Sequence, residues 1–190
     1  MKDLLRSHFE KTIELTNSEF DYIYSHFVRK KIIKHQFLVQ EGDFVKNEFF
    51  VVKGCLKSYL VDSENKMYVL QFALPDWWIT DYQALYNKTP SSLYIDSVET
   101  AEVLMLSLED KDKICGELHK VEHFFRKKTN LGYVALQQRV LGLINGSAKD
   151  RYEQLMKQYP ALFLTVPKQL IASYLGVTRE TLSRLYKSSK

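Results

Sequence analysis

The apolar residues of this chain change their spacing near Glu109, and that change constrains the fold more than any other feature. From Ile32 to Leu108 the sequence runs in short β-branched and aromatic stretches cut by turn residues. Ile32–Val39 stops at Gln40-Glu41-Gly42-Asp43, Phe49–Lys53 at Gly54, Cys55–Val61 at Asp62-Ser63-Glu64-Asn65, and Lys66–Ala73 at Pro75-Asp76. Ser92–Val98 and Val103–Leu108 complete the set. Short strands at this spacing predict an antiparallel, jelly-roll-like β-barrel. After Glu109 the texture is helical, with a short helix near Asp110–Glu117 and a long one from about Val121 to Asn145, ended by Gly146. The expected fold class is therefore α+β.

Two capping boxes mark further helices. Thr16-Asn17-Ser18-Glu19 places a threonine oxygen and a glutamate where each can serve the other's backbone, predicting a helix through about Phe27. Ser147-Ala148-Lys149-Asp150 does the same for a helix that runs to about Gln158 and stops before Pro160. Two more helices follow.

In the long helix, Phe124, Leu131 and Gln138 recur every seven residues, with Val134 and Leu141 three places after the last two. Such a seam pairs two helices, or packs one helix on its own barrel. At ~1.5 Å per residue the helix is about 37 Å long, more than a small barrel can cover. A homodimer is the expectation.

Charge is unevenly distributed. From Asn145 onward there are eight Lys/Arg and three Asp/Glu, against nineteen and twenty before it. A near-neutral body with a basic end suits a phosphate-binding module attached to a sensor. No run approaches the ~18 apolar residues of a membrane span, and Met1-Lys2-Asp3 opens no signal-peptide apolar region, so a cytoplasmic protein with no membrane partner is expected. Cys55 and Cys115 are too few for a disulfide framework or an all-cysteine cluster.

The strongest signal lies in Lys168–Ser188. With Lys168 as the first position of a helix-turn-helix, Ala172 is fifth, Gly176 ninth, Val177 tenth, Leu182 fifteenth and Leu185 eighteenth. Ala172 allows two helices to cross closely, and Gly176 supplies the positive φ of the turn. Ile171, Leu175, Val177, Leu182 and Leu185 bury the faces that set the interhelical angle. Thr178 can cap the second helix and Pro167 suits the first turn of the first. Arg179 and Glu180 stand at the N-terminal end of the second helix, where arginine can fork onto guanine and glutamate can accept from cytosine. Arg184 follows one turn on, and Thr178, Thr181 and Lys187 are suited to phosphates. Double-stranded DNA is the expected partner.

Val177-Thr178-Arg179-Glu180-Thr181-Leu182-Ser183-Arg184-Leu185 resembles the recognition helix of the Crp/Fnr family of bacterial transcription regulators. The resemblance extends through Gln40-Glu41-Gly42-Asp43, Phe50-Val51-Val52-Lys53-Gly54 and the hairpin around Asp62–Lys66, which are similar to that family's cyclic-nucleotide-binding barrel. It covers about Phe20 to Lys187, the long helix matching the family's dimerisation helix. A homodimer would place two recognition helices on a near-palindromic operator. With no Ser–His–Asp set, glycine-rich phosphate loop or paired-carboxylate motif, no enzymatic activity is expected. The resemblance implies base contacts from Arg179, Glu180 and Arg184. It also admits RNA polymerase as a partner.

Two departures matter. Cyclic-nucleotide members of the family hold the ribose with a Gly-Glu-Leu glutamate and the cyclic phosphate with an arginine. Here the matching stretch is Pro75-Asp76-Trp77-Trp78-Ile79-Thr80-Asp81, then Pro90-Ser91-Ser92, and no arginine occurs from Pro75 to Glu109. Cyclic AMP is therefore not the expected effector. Trp77, Trp78, Asp81, Ser91 and Ser92 remain as candidates for an unidentified small molecule, the two tryptophans competing with a role as core aromatics. Only six residues follow Arg184, so a full β-hairpin wing is not expected.

The expected division is a sensor domain over 1–118, a dimerisation helix over 119–146 and a helix-turn-helix domain over 147–190. A metal-binding cupin is disfavoured by the lack of histidine between Gln36 and Leu118. Cys115, His119 and His123 lie along one helical face but cannot surround a metal tetrahedrally from one straight helix. No cofactor or metal is expected. The competing function is a small-ligand-binding module, or a metal or redox sensor, without DNA-reading activity.

Overall fold

The computed structural model describes residues 1–188, with side chains through Tyr186. In chain order the elements are α1 (Lys2–Glu10), α2 (Asn17–Ser25), β1 (Val28–Ile32), β2 (Phe37–Val39), β3 (Asn47–Lys53), β4 (Leu56–Val61), β5 (Met67–Ala73), β6 (Trp78–Ile79), α3 (Tyr82–Asn87), β7 (Tyr94–Ser97) and β8 (Ala101–Ser107). Helices follow: α4 (Leu108–Glu117), α5 (His119–Asn145), α6 (Ala148–Gln158), α7 (Leu162–Thr165), α8 (Lys168–Leu175) and α9 (Arg179–Ser188). The strands form two four-stranded sheets, ordered β1-β8-β3-β6 and β2-β7-β4-β5. β1 pairs with β8, β2 with β7, and β3 with both β6 and β8, each antiparallel.

The run expected as one strand over Ile32–Val39 is two. Between β1 and β2 the chain turns at His35, which takes φ 65°, and the turn is closed by the His35 amide on the Ser97 carbonyl at 2.8 Å and the Ser97 hydroxyl on the Ile33 carbonyl at 2.6 Å. Helix α1 had no sequence signal: its N-cap is Met1, which makes no side-chain cap. The capping boxes formed where the spacing placed them. Thr16 and Glu19 cap α2 reciprocally, and Ser147 and Asp150 cap α6.

The chain divides into two compact units: Met1–Ser58 with Gln71–Thr129, and Tyr59–Leu70 with the chain from Asn130 onward. In the first unit β3 is buried on both faces, which explains its unbroken run Phe49-Phe50-Val51. Phe49 and Val51 join one core with Leu56, Ile79, Ile95 and Val103. Phe50 faces the other, packed with Phe9, Phe20, Ile114 and Phe124. Gly54 ends β3 at φ 85°, and a Cβ there would lie 2.6 Å from the Thr100 carbonyl oxygen, so both backbone and space require glycine.

In the second unit Tyr152, Leu155, Leu162, Val166, Ile171, Ala172, Leu175 and Leu182 form a small buried core. Helix α5 has 27 residues and is about 40 Å long. Phe124, expected as the first residue of the seven-residue seam, is instead fully buried in the first unit's core. From Leu131 to Ile144 the helix is bare: Leu131, Val134, Leu136, Val140, Leu141 and Ile144 are all 45% or more exposed. Among the described residues no helix is long and apolar enough to cross a membrane.

Candidate nucleic-acid interface

Helices α8 and α9 are joined by a turn whose geometry follows from Gly176. It takes φ 67°, its amide bonds the Ser173 carbonyl, and the Val177 amide bonds the Ala172 carbonyl at 3.0 Å. This is a Schellman closure, which satisfies the last carbonyls of α8 and turns the chain sharply. Thr178 then opens α9 by accepting from the Thr181 amide at 3.2 Å. Leu182 and Ala172, each 2% exposed, hold the helices together. Lys168 lies over the Tyr186 ring at 4.4 Å, joining the start of α8 to the end of α9.

The outer face of α9 carries the residues singled out from sequence. Thr178, Arg179, Glu180 and Arg184 are exposed and Thr181 is half-buried. Neither Arg179 nor Arg184 makes a side-chain hydrogen bond or ion pair with the described residues. Thr178 and Thr181 spend their hydroxyls on each other at 3.1 Å and on the helix cap. Glu180 also turns back onto the helix start: its own backbone amide and the Thr178 hydroxyl hold its carboxyl below the usual carboxylate range. The Lys187 side chain lies outside the described residues.

What sequence reasoning missed is how α8 is anchored. Arg151, on α6, donates Nε to the Leu175 carbonyl at 2.9 Å and Nη1 to the Gly146 carbonyl at 2.7 Å. Arg139, on α5, donates Nη2 to the Tyr174 carbonyl at 3.0 Å and to the Val69 carbonyl at 3.1 Å, and stacks on the Tyr174 ring at 3.6 Å. Ser173 bonds the backbone of β5. One sequence signal existed for Arg151. A cation in the first turn after a capping box opposes the helix dipole, which suggests that its partners lie at other helices' C-termini.

The candidate effector residues lie in the first unit. Asp81 and Ser91 are buried and bonded to each other at 2.8 Å, ten positions apart in sequence. The other Asp81 oxygen accepts from the Ala84 amide at 3.1 Å and so caps α3. Ser92 is exposed and is not part of this pair. Trp77 and Trp78 diverge, packing against different cores. Trp78 donates Nε1–H to Nε2 of His8 at 3.0 Å, and Nδ1 of His8 lies 2.6 Å from Asp76, which Lys11 also pairs. Burial, reinforced by the nearby Lys128 charge, lowers the His8 pKa to about 4. Lys57 and Asp96 form a buried ion pair between β4 and β7.

Burial pushes the Cys115 thiol up to about 11 and the Cys55 thiol up to about 12, so neither is poised as a thiolate. His123 is bonded to Arg126 at 2.9 Å. Among the described residues no group of three or more His, Cys, Asp or Glu side chains is arranged to hold a metal ion.

No protein-family profile matches the chain. It is 27% identical over 183 residues to an anaerobic regulatory protein of Haemophilus influenzae, covering 90% of this chain and 70% of that one. It shares the fold of FixK2 from Bradyrhizobium japonicum, with a TM-score of 0.74 at 20% identity over 85% of this chain and 83% of that one. A structure from Eubacterium rectale described as a transcriptional regulator of the Crp/Fnr family matches with a TM-score of 0.67 at 14% identity, covering 92% and 83%. The relatives are regulatory proteins and the solved neighbours share the mixed α/β fold, so the chain is similar in sequence to bacterial regulatory proteins and in fold to regulators of the Crp/Fnr family.

Proposed function

We propose that this chain is a sequence-specific DNA-binding transcription regulator that acts as a homodimer. The observation that carries this reading is the outer face of α9, where Arg179 and Arg184 are exposed and make no side-chain hydrogen bond or ion pair with the described residues. An arginine at the start of such a helix can fork onto guanine N7 and O6 in the major groove. The bare apolar length of α5 from Leu131 to Ile144 supports pairing with a second copy. Two recognition helices related by a two-fold axis would enter successive major grooves, about 34 Å apart, on a near-palindromic operator. In this reading residues 1–118 are a jelly-roll sensor barrel, 119–146 the dimerisation helix and 147–190 the DNA-binding domain. RNA polymerase is a natural further partner of such a regulator.

Cyclic AMP is not the effector in this reading. The carboxylate that would take the ribose, Asp81, already serves the Ala84 amide and the Ser91 hydroxyl. No arginine between Pro75 and Glu109 is present to meet a cyclic phosphate.

The test is selection of bound duplexes from random DNA, followed by Arg179→Ala on the selected sequence. The substitution should weaken binding by about 1–3 kcal/mol and relax the preference at one base-pair position in each half-site. A wild-type protein that enriches no sequence would sink the proposal.

A further inference from the structure

Strand β5 lies at the edge of its sheet, and an edge strand presents backbone N–H and C=O groups with no strand to pair them. Residues two apart on a strand point these groups to the same side. At Met67 and Val69 that side is filled by side chains of helices. Ser173, on α8, donates its hydroxyl to the Met67 carbonyl at 2.6 Å and accepts from the Val69 amide at 3.0 Å. Arg139, on α5, completes the set by donating to the Val69 carbonyl at 3.1 Å, and the same nitrogen reaches the Tyr174 carbonyl on α8 at 3.0 Å. One hydroxyl and one guanidinium thus replace the missing strand and fasten α8 to the hairpin.

The hairpin is itself closed at its tip. Asp62 accepts from the amides of Glu64 and Lys66, each at 2.9 Å, and exchanges backbone bonds with Lys66 and Asn65. Its outer part, Tyr59–Leu70, belongs to the same compact unit as α8 and α9, while β4 and β5 continue without a break into the first unit. The clasp is closed in the arrangement that leaves Arg179 and Arg184 exposed.

We propose that the β4–β5 hairpin is a positioning element for the DNA-reading helix, with Ser173 and Arg139 fixing α8, and through it α9, to the edge of β5. This rests on the reading of α9 as the DNA-reading helix. Ser173 and Arg139 are positioning residues: they hold the recognition helix in its reading orientation before DNA arrives. Removing them leaves that orientation only partly populated, and apparent affinity falls by the populated fraction.

The test uses the full chain and the duplex that the wild type selects from random DNA. Ser173→Ala should weaken binding to that duplex by about threefold to tenfold, since one net hydrogen bond shifts an equilibrium by roughly two- to tenfold. The salt dependence should keep its slope, because no phosphate contact is removed. Amide exchange of the 66–70 segment should speed up, while exchange in β3 and β8 stays at the wild-type rate. Arg139→Lys, which keeps the charge and loses the planar group stacked on Tyr174, should act in the same direction. Asp62→Ala loosens the hairpin at its tip, well along the chain from α9. It should weaken DNA binding in the wild-type background and add less than that in the Ser173→Ala background, where only the Arg139 contact is left to loosen. Faster exchange with unchanged or tighter DNA binding would overturn the proposal, and so would additive effects of Asp62→Ala and Ser173→Ala. If the wild type selects a duplex and the variants bind it equally well, only this inference fails; if the wild type selects none, the DNA-reading assignment fails with it.

Discussion

Arg151 donates its Nε hydrogen to the carbonyl of Leu175 at 2.9 Å, so a side chain of α6 closes the C-terminal end of α8. The same guanidinium reaches the Gly146 carbonyl at 2.7 Å, just beyond the last turn of α5. A helix C-terminus carries partial negative charge and unpaired carbonyls, and one planar cation serves two of them.

Arg151→Ala should therefore destabilise the second unit by about 1.5–3 kcal/mol, the scale of hydrogen bonds made by a charged donor. Arg151→Lys should recover only part of the loss, because an ammonium cannot present the same planar fork. Thermal unfolding followed by circular dichroism would measure both. Equal melting temperatures for wild type and Arg151→Ala would show that water replaces the guanidinium at no cost.

His8 gives a pH dependence whose sign follows from its hydrogen bonds. Nε2 accepts from Trp78, so the proton sits on Nδ1 facing Asp76, and the ring is neutral when folded. Its pKa is about 4 in the folded protein against an ordinary 6.5, so the unfolded chain takes up the proton first. The contribution is complete above pH 6.5 and declines as pH falls from 6.5 to 4, by roughly 2–3 kcal/mol. Denaturant unfolding at pH 7.5 and 4.5 should show a larger loss for wild type than for His8→Gln. Identical losses would mean that His8 does not titrate as its surroundings dictate.

The bare face of α5 makes a prediction about assembly. Leu141 is 51% exposed and Val134 46%. Leu141→Glu places a charge where a partner helix would bury the side chain, and should convert the proposed dimer to monomers with little change in the helical signal. Light scattering coupled to gel filtration would report this directly. A wild type that is monomeric at micromolar concentration would remove the palindromic arrangement.

For the effector, calorimetric titration with cyclic AMP should give no binding heat at micromolar to millimolar nucleotide. Micromolar affinity would require Asp81 to abandon both of its internal partners and would overturn the assignment.

The parts of this structure that sequence revealed are those fixed by neighbours along the chain. Thr16 with Glu19 and Ser147 with Asp150 cap across three positions, and Gly176 turns between helices whose apolar residues recur every three or four. The exposed arginines of α9 follow from that helical phase. The missed features depend on distant partners. Arg151 meets a carbonyl 24 residues away, and Ser173 meets β5 across 104 and 106 residues. Phe124 fits the heptad yet is claimed by the first unit's core, because Phe9 reaches it from a helix that announces itself with no cap. Glu180 is exposed on α9, but its carboxylate has a competing use at the helix start that spacing alone does not reveal.

The occupied edge of β5 also bears on solubility. An uncovered edge strand is a template on which another chain can add a strand, and the Met67–Val69 backbone is shielded from that fate by one serine and one arginine rather than by a fifth strand. Variants that loosen this cover leave the strand open to intermolecular β-pairing, so their first symptom at high concentration should be self-association.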